Sequence, residues 1–114
     1  MEYNNDFKYD LKVGQVKEKE LAEILNNKKI EVKKCTDAIY NVFVEYESRG
    51  APSGISTTQA DYWAFVLEYE TVVIIPSNRL KQKCRTAFKE GRTASGGDSD
   101  TSKGVLLPVT ELTN

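Results

Sequence analysis

The period of the apolar residues switches several times along this chain, and that switching limits the fold more than any other feature. Over residues 13–26, Val13, Leu21, Ile24 and Leu25 fall on one face at helical spacing, and Asn26-Asn27 form a stop. The period then becomes two. Residues 28–34 alternate Ile30 and Val32 with Lys29, Glu31 and Lys33. Residues 40–47 alternate Val42, Val44 and Tyr46 with Asn41, Phe43, Glu45 and Glu47. Both runs read as half-buried strands, and the short link between them predicts an antiparallel hairpin. Residues 48–54 read as a loop on their Gly and Pro content, and Ser56-Thr57-Thr58-Gln59 has the spacing of a capping box, predicting a short helix. Strands follow at 65–67 and 72–75 around a turn at Glu70-Thr71. A helix beginning at Pro76-Ser77 carries Leu80, Cys84, Ala87 and Phe88 as its apolar stripe. Residues 91–104, rich in Gly, Ser and Asp, read as a flexible loop, and 105–109 as a last strand. With residues 1–10 as an N-terminal arm, the pattern is one αββαββαβ-like unit, an α/β (α+β) fold.

The length agrees with that. A chain of 114 residues holds one domain (1–114) around one modest core. Its 39% hydrophobic and 29% charged residues are those of an ordinary globular protein. No apolar run approaches the roughly 20 residues that span a bilayer. The start, MEYNNDFKYD, is acidic and polar, unlike a secretory signal or transit peptide. A cytoplasmic setting with reduced thiols is therefore expected, with Cys35 and Cys84 as buried or half-buried thiols.

The chain has no histidine, and its two cysteines lack CxxC spacing. Zinc fingers, imidazole acid–base catalysis and Ser-His-Asp triads are thereby excluded. A metal here would be a hard cation held by oxygen. The predicted hairpin suggests a place for one. If Ile30, Val32, Val42 and Val44 are buried, then Glu31, Lys33, Glu45 and Glu47 stand together on the opposite face. Opposed carboxylates repel unless a cation neutralises them, and a divalent metal beside a lysine can hydrolyse a phosphodiester. A solvated hairpin face decorated with Glu and Lys has the same pattern.

Ile30-Glu31-Val32-Lys33 resembles the E-x-K strand of PD-(D/E)XK nucleases. Gly14-x-x-x-Glu18 on the preceding helix resembles the G-x-x-x-E element of many members, with Glu18 at the border of the buried face. The run from Phe43 through Tyr46-Glu47-Ser48-Arg49-Gly50-Ala51-Pro52-Ser53-Gly54 to Tyr62-Trp63 is similar to small nuclease-like proteins encoded by bacteriophages. The resemblance covers roughly positions 8–76. It implies a restriction-endonuclease-like core, a mixed sheet of four or five strands flanked by helices. The activity implied is that of a Mg²⁺-dependent DNA endonuclease (Mn²⁺ as substitute) acting on branched DNA, in the manner of Holliday junction resolvases. In that reading Glu31, Glu45 and Glu18 hold the metal, Lys33 positions the nucleophile, and a homodimer would cut two strands. One departure stands out: the family's aspartate ahead of E-x-K is missing, and Glu18, Glu45, Asp37 or Asp10 must replace it. Glu45 is the choice, through hairpin pairing. The alternative is a catalytically inactive module of the same fold that binds DNA or a host protein.

The net charge is −1, yet residues 79–92 carry Arg79, Lys81, Lys83, Arg85, Lys89 and Arg92 against Glu90 alone. Lys81, Arg85 and Lys89, at i, i+4 and i+8, predict a basic stripe opposite the apolar one, suited to phosphates or to solvent. Arg49, Ser53 and Thr57 are further candidates for DNA contact, the last two at a predicted helix start whose N–H groups could hold a phosphate. Tyr62 and Trp63 suit either a base stack or the core.

Overall fold

The computed structural model describes residues 11–13, 22, 26–35, 41–67 and 71–113. In chain order they form β1 (Leu11–Val13), β2 (Ile30–Lys34), β3 (Asn41–Ser48), β4 (Ala51–Pro52), β5 (Tyr62–Val66), β6 (Val72–Pro76), helix α1 (Ser77–Lys89), β7 (Thr93–Gly96) and β8 (Ser102–Pro108). Short 3₁₀ turns occupy Gly54–Ser56, Asp98–Asp100 and Val109–Thr113. The fold is mixed α/β, as the periodicity predicts. Of the helix predicted over 13–26, Ala22 and Asn26 are helical and Val13 ends β1. Its remaining residues, Glu18 among them, and the arm 1–10 lie outside the described residues.

The strands form two sheets. One is mixed, in the order β1-β6-β5-β2, with β1/β6 and β2/β5 parallel and β5/β6 antiparallel. The other, β4-β3-β8-β7, is antiparallel throughout. The predicted hairpin of β2 with β3 is therefore not formed. β2 runs beside β5, with Glu31 opposite Trp63 and Lys33 opposite Phe65, while β3 runs beside β8. The reason lies in β5. Its sequence, Tyr-Trp-Ala-Phe-Val, is apolar on both faces, the composition of a strand inside a sheet rather than at its edge. β6 supplies one neighbour and β2 the other.

One core joins both sheets and the helix. It takes Val42 and Val44 from β3, Trp63 and Phe65 from β5, Val73 and Ile75 from β6, Leu80, Cys84 and Ala87 from α1, and Val105 and Leu107 from β8, with Ile55 and Leu112 closing its ends. Ala64 and Ile74 are buried on the other face of the mixed sheet, with Ile30 packed against them. Ile30 thus does not share a core with Val42 and Val44, and Glu31 and Lys33 lie on the Trp63 side of their strand.

Of residues 91–104, predicted as a loop, 93–96 form β7 and 102–104 begin β8, while 97–101 connect the two strands. Glycine misled the reading for a steric reason. Phe43 lies across β7 and β8, and a Cβ on Gly104 would come within 2.6 Å of its Cζ. That glycine makes room for a ring; it does not mark a turn. The hairpin β3–β4 turns at Arg49 and Gly50, with φ of 52° and 81°, the two positive angles that a two-residue connection favours.

Burial pushes the Cys84 thiol up to about 12 from its ordinary 9.0. An unfolded thiol ionises above about pH 9, while the native one stays neutral, so the stability it contributes is present below pH 9 and is lost as pH rises toward 12. The stability difference between wild type and Cys84→Ala, followed by urea denaturation, should narrow across that window; a constant difference would contradict the burial.

Candidate functional site

The E-x-K strand does bring its two charges together. Lys33 Nζ lies 3.1 Å from Glu31 Oε2, both side chains being about half exposed, and 5.5 Å from the centroid of the Trp63 ring. The alternation of the strand places them on one face, and the parallel register with β5 sets the indole beneath them.

Glu45 is elsewhere. It stands on β3 in the antiparallel sheet, at a bulge between Glu45 and Glu47, and its Oε2 accepts a hydrogen bond from Ser53 Oγ at 2.7 Å. Glu47 pairs with Lys103 at 3.5 Å. Glu31 and Glu45 are thus carried by strands of different sheets, each engaged by its own partner, because the hairpin that was to align them does not exist. Glu18, Asp10 and Asp37 lie outside the described residues. Among the described residues, no three His, Cys, Asp or Glu side chains come together in a way that could hold a metal ion. The described donor set therefore does not fit a Mg²⁺ centre.

The capping-box helix is also absent. Gly54–Ser56 is one 3₁₀ turn, and residues 58–60 after it have no regular structure. Ser53 precedes only that 3₁₀ turn and gives its hydroxyl to Glu45, Thr57 follows the turn and donates its N–H to the Gly54 carbonyl at 3.2 Å, and neither stands at the N-terminus of an α-helix. The exposed Arg49 donates its backbone N–H to Thr101 O at 2.9 Å, closing the hairpin turn on the neighbouring strand. Tertiary bonds override the capping signal: Ser53 N donates to Tyr46 O at 3.0 Å, and Ser56 Oγ donates to the same carbonyl at 2.8 Å. Trp63 is core, and its indole N–H donates to Thr58 Oγ1 at 3.2 Å.

These bonds hold the 53–56 turn against β3 and leave a groove between that turn and α1. Its volume is about 360 Å³. Tyr46, Ile55, Cys84 and Val105 supply apolar lining, and Lys81, Arg85, Phe88 and Lys89 line it from the helix. The predicted basic stripe is thus confirmed in its members and corrected in its place. It lies beside the buried Leu80, Cys84 and Ala87, not opposite them, because a step of one residue turns the helix by only about 100°. Phe88, predicted as core, is 54% exposed and meets Tyr46 edge to face at 5.5 Å. The signal for this was available: Phe88 is seven residues, about two turns, beyond Lys81, and so belongs to the cationic face. Tyr46 and Ile55 had no such signal, since only the bulge and the turn carry them to the groove.

Among the described residues, no carboxylate lines the groove. Among the described residues, ion pairs are made by Lys33 with Glu31, by Lys103 with Glu47, and by Arg92 with Glu90 at 2.8 Å and Glu111 at 3.3 Å. Arg92 is thus neutralised and adds nothing to the basic face, whereas Lys81, Arg85 and Lys89 have no acidic partner among the described residues. Among the described residues, no helix is long and apolar enough to cross a membrane. Compared with known proteins, the chain matches no family model, no curated protein and no solved structure.

Proposed function

We propose that this chain binds nucleic acid through the groove beside α1. The observation that carries the proposal is the alignment of Lys81, Arg85 and Lys89 along that groove, with no carboxylate among the described residues that line it. Cations one helical turn apart, with no acidic partner among the described residues, keep their attraction for a polyanion. The overall charge of −1 does not oppose this, since the described acids Glu47, Glu90 and Glu111 are paired away from the groove. Replacing the three with glutamine should weaken binding to DNA of any sequence and flatten its salt dependence. Each lost phosphate contact lowers the slope of log K against log[salt] by about 0.9 on a duplex or about 0.7 on a single strand. Fluorescence anisotropy over a salt series checks this, and an unchanged affinity and slope would leave the stripe as a solvated face.

A second, more specific reading is that of a Mg²⁺-dependent endonuclease with a restriction-endonuclease-like core, acting on branched DNA, in which Glu31 and Lys33 would serve as the E-x-K pair. The contact between the two at 3.1 Å on one strand face favours it. Further carboxylates would have to come from Glu18, Asp10 or Asp37. Calorimetric titration with Mn²⁺ separates the two readings. A nuclease should bind the ion and lose it on Glu31→Ala, together with cleavage of junction DNA. Nucleic-acid binding with no Glu31-dependent uptake of Mn²⁺ leaves a binding module.

A further inference from the structure

We infer that the groove receives an unpaired nucleotide, its base packed against Phe88 with phosphates on the Lys81, Arg85 and Lys89 rim. The inference rests on the nucleic-acid reading above and names its substrate class. Three features of the groove combine. Phe88 keeps 54% of its surface in solvent although it neighbours the core, and its ring is steadied by the edge-to-face contact with Tyr46. A rigid, solvent-facing ring beside cations is the arrangement on which bases of single strands stack, and the contact is tolerant of sequence because every base has a π-face. A duplex, with its bases paired and stacked on each other, offers no such face.

Spacing agrees with this. Successive cations four residues apart advance about 6 Å along the helix, comparable to the separation of phosphates along an extended strand. Size agrees too. At about 360 Å³ the groove is near the small end of ligand pockets, room for one flat ring rather than for the row of side chains that a bound amphipathic helix inserts. The charge of the rim selects an anion, and the apolar floor of Ile55, Cys84 and Val105 selects an anion that carries an aromatic body.

The test uses the full chain and four labelled probes: a mixed-sequence single strand, the same sequence fully paired, the single strand with abasic sites, and an aspartate-rich peptide. Anisotropy should show the single strand binding at least about tenfold more tightly than the duplex. Phe88→Ala should weaken single-strand binding about 5- to 150-fold, the range for one lost base–aromatic stack, and leave the duplex unchanged. The abasic strand should bind wild type about as weakly as the intact strand binds Phe88→Ala. Phe88→Trp should restore binding, and Phe88→Leu, which keeps an apolar contact with Tyr46 but has no π-face, should not. Circular dichroism confirms that each variant is folded. Equal binding of single strand and duplex, insensitive to Phe88→Ala, would overturn the unpaired nucleotide while leaving nucleic-acid binding intact. Binding of the acidic peptide with none to any nucleic acid would remove both.

Discussion

Trp63→Ala should destabilise the protein by about 3–5 kcal/mol, the usual cost of emptying a large aromatic site in a core. The indole is 2% exposed and packs in the cluster shared by both sheets and the helix, 6.1 Å from the Phe65 ring. Its N–H bond to Thr58 Oγ1 is lost as well, loosening the segment that leads into β5. A domain of this size has about 5–15 kcal/mol in all, so the variant should sit near the edge of folding. Urea denaturation should show a much lower midpoint at similar slope. Trp63→Phe retains most of the ring and should lose far less. A loss below about 1 kcal/mol for Trp63→Ala would mean that the indole is not the centre of the core, and the parallel pairing that sets Glu31 beside it would come into question.

Gly54→Ala is expected to damage stability and binding together. Gly54 has a φ of +55°, which costs a non-glycine residue about 1–2 kcal/mol. A Cβ there would also lie 2.2 Å from the Glu45 carbonyl oxygen, and that oxygen belongs to a strand paired with β8, so it cannot easily move aside. The turn must shift instead. It carries the Ser53 bond to Glu45, the Ser56 bond to Tyr46 and the side chain of Ile55, which serves both the core and the groove. The expected result is a loss of at least about 2 kcal/mol in denaturation experiments, with weaker oligonucleotide binding by the folded protein because Ile55 is displaced from the groove wall. Wild-type stability and affinity in this variant would show that the 53–56 turn is not held against β3.

The sequence was most legible where one local signal decided the outcome. β5, β6, α1 and β8 all lie where periodicity placed them, within a few residues. It was least legible where two readings share one local signal. Gly96 and Gly104 looked like loop residues because glycine permits turns, but glycine also permits the close approach of a ring, and Phe43 is far away in sequence. Ser56-Thr57-Thr58-Gln59 has the spacing of a helix start, yet the hydroxyls of Ser56 and Thr58 are occupied by Tyr46 O and the Trp63 indole. Local capping is worth about 1 kcal/mol, too little to outweigh the packing of Ile55 and Trp63.

What the residues determined by themselves is the kind of each element and the chemistry open to the chain. Alternation makes β2 and β3 strands whatever they pair with, spacing puts Lys81, Arg85 and Lys89 in one line, and the lack of histidine removes whole classes of site. The tertiary structure decided the partners. A strand's period says which side chains share a face, but not which neighbour lies beside it, since any strand can satisfy the same backbone groups. That choice fell to β5, an inner strand with apolar side chains on both faces, which pairs with β6 at one edge and β2 at the other. It took β2 away from β3, and Glu31 away from Glu45. The same long-range burial set the 53–56 turn opposite α1 and so made a groove beside three cations that, in the sequence alone, could equally have faced open solvent.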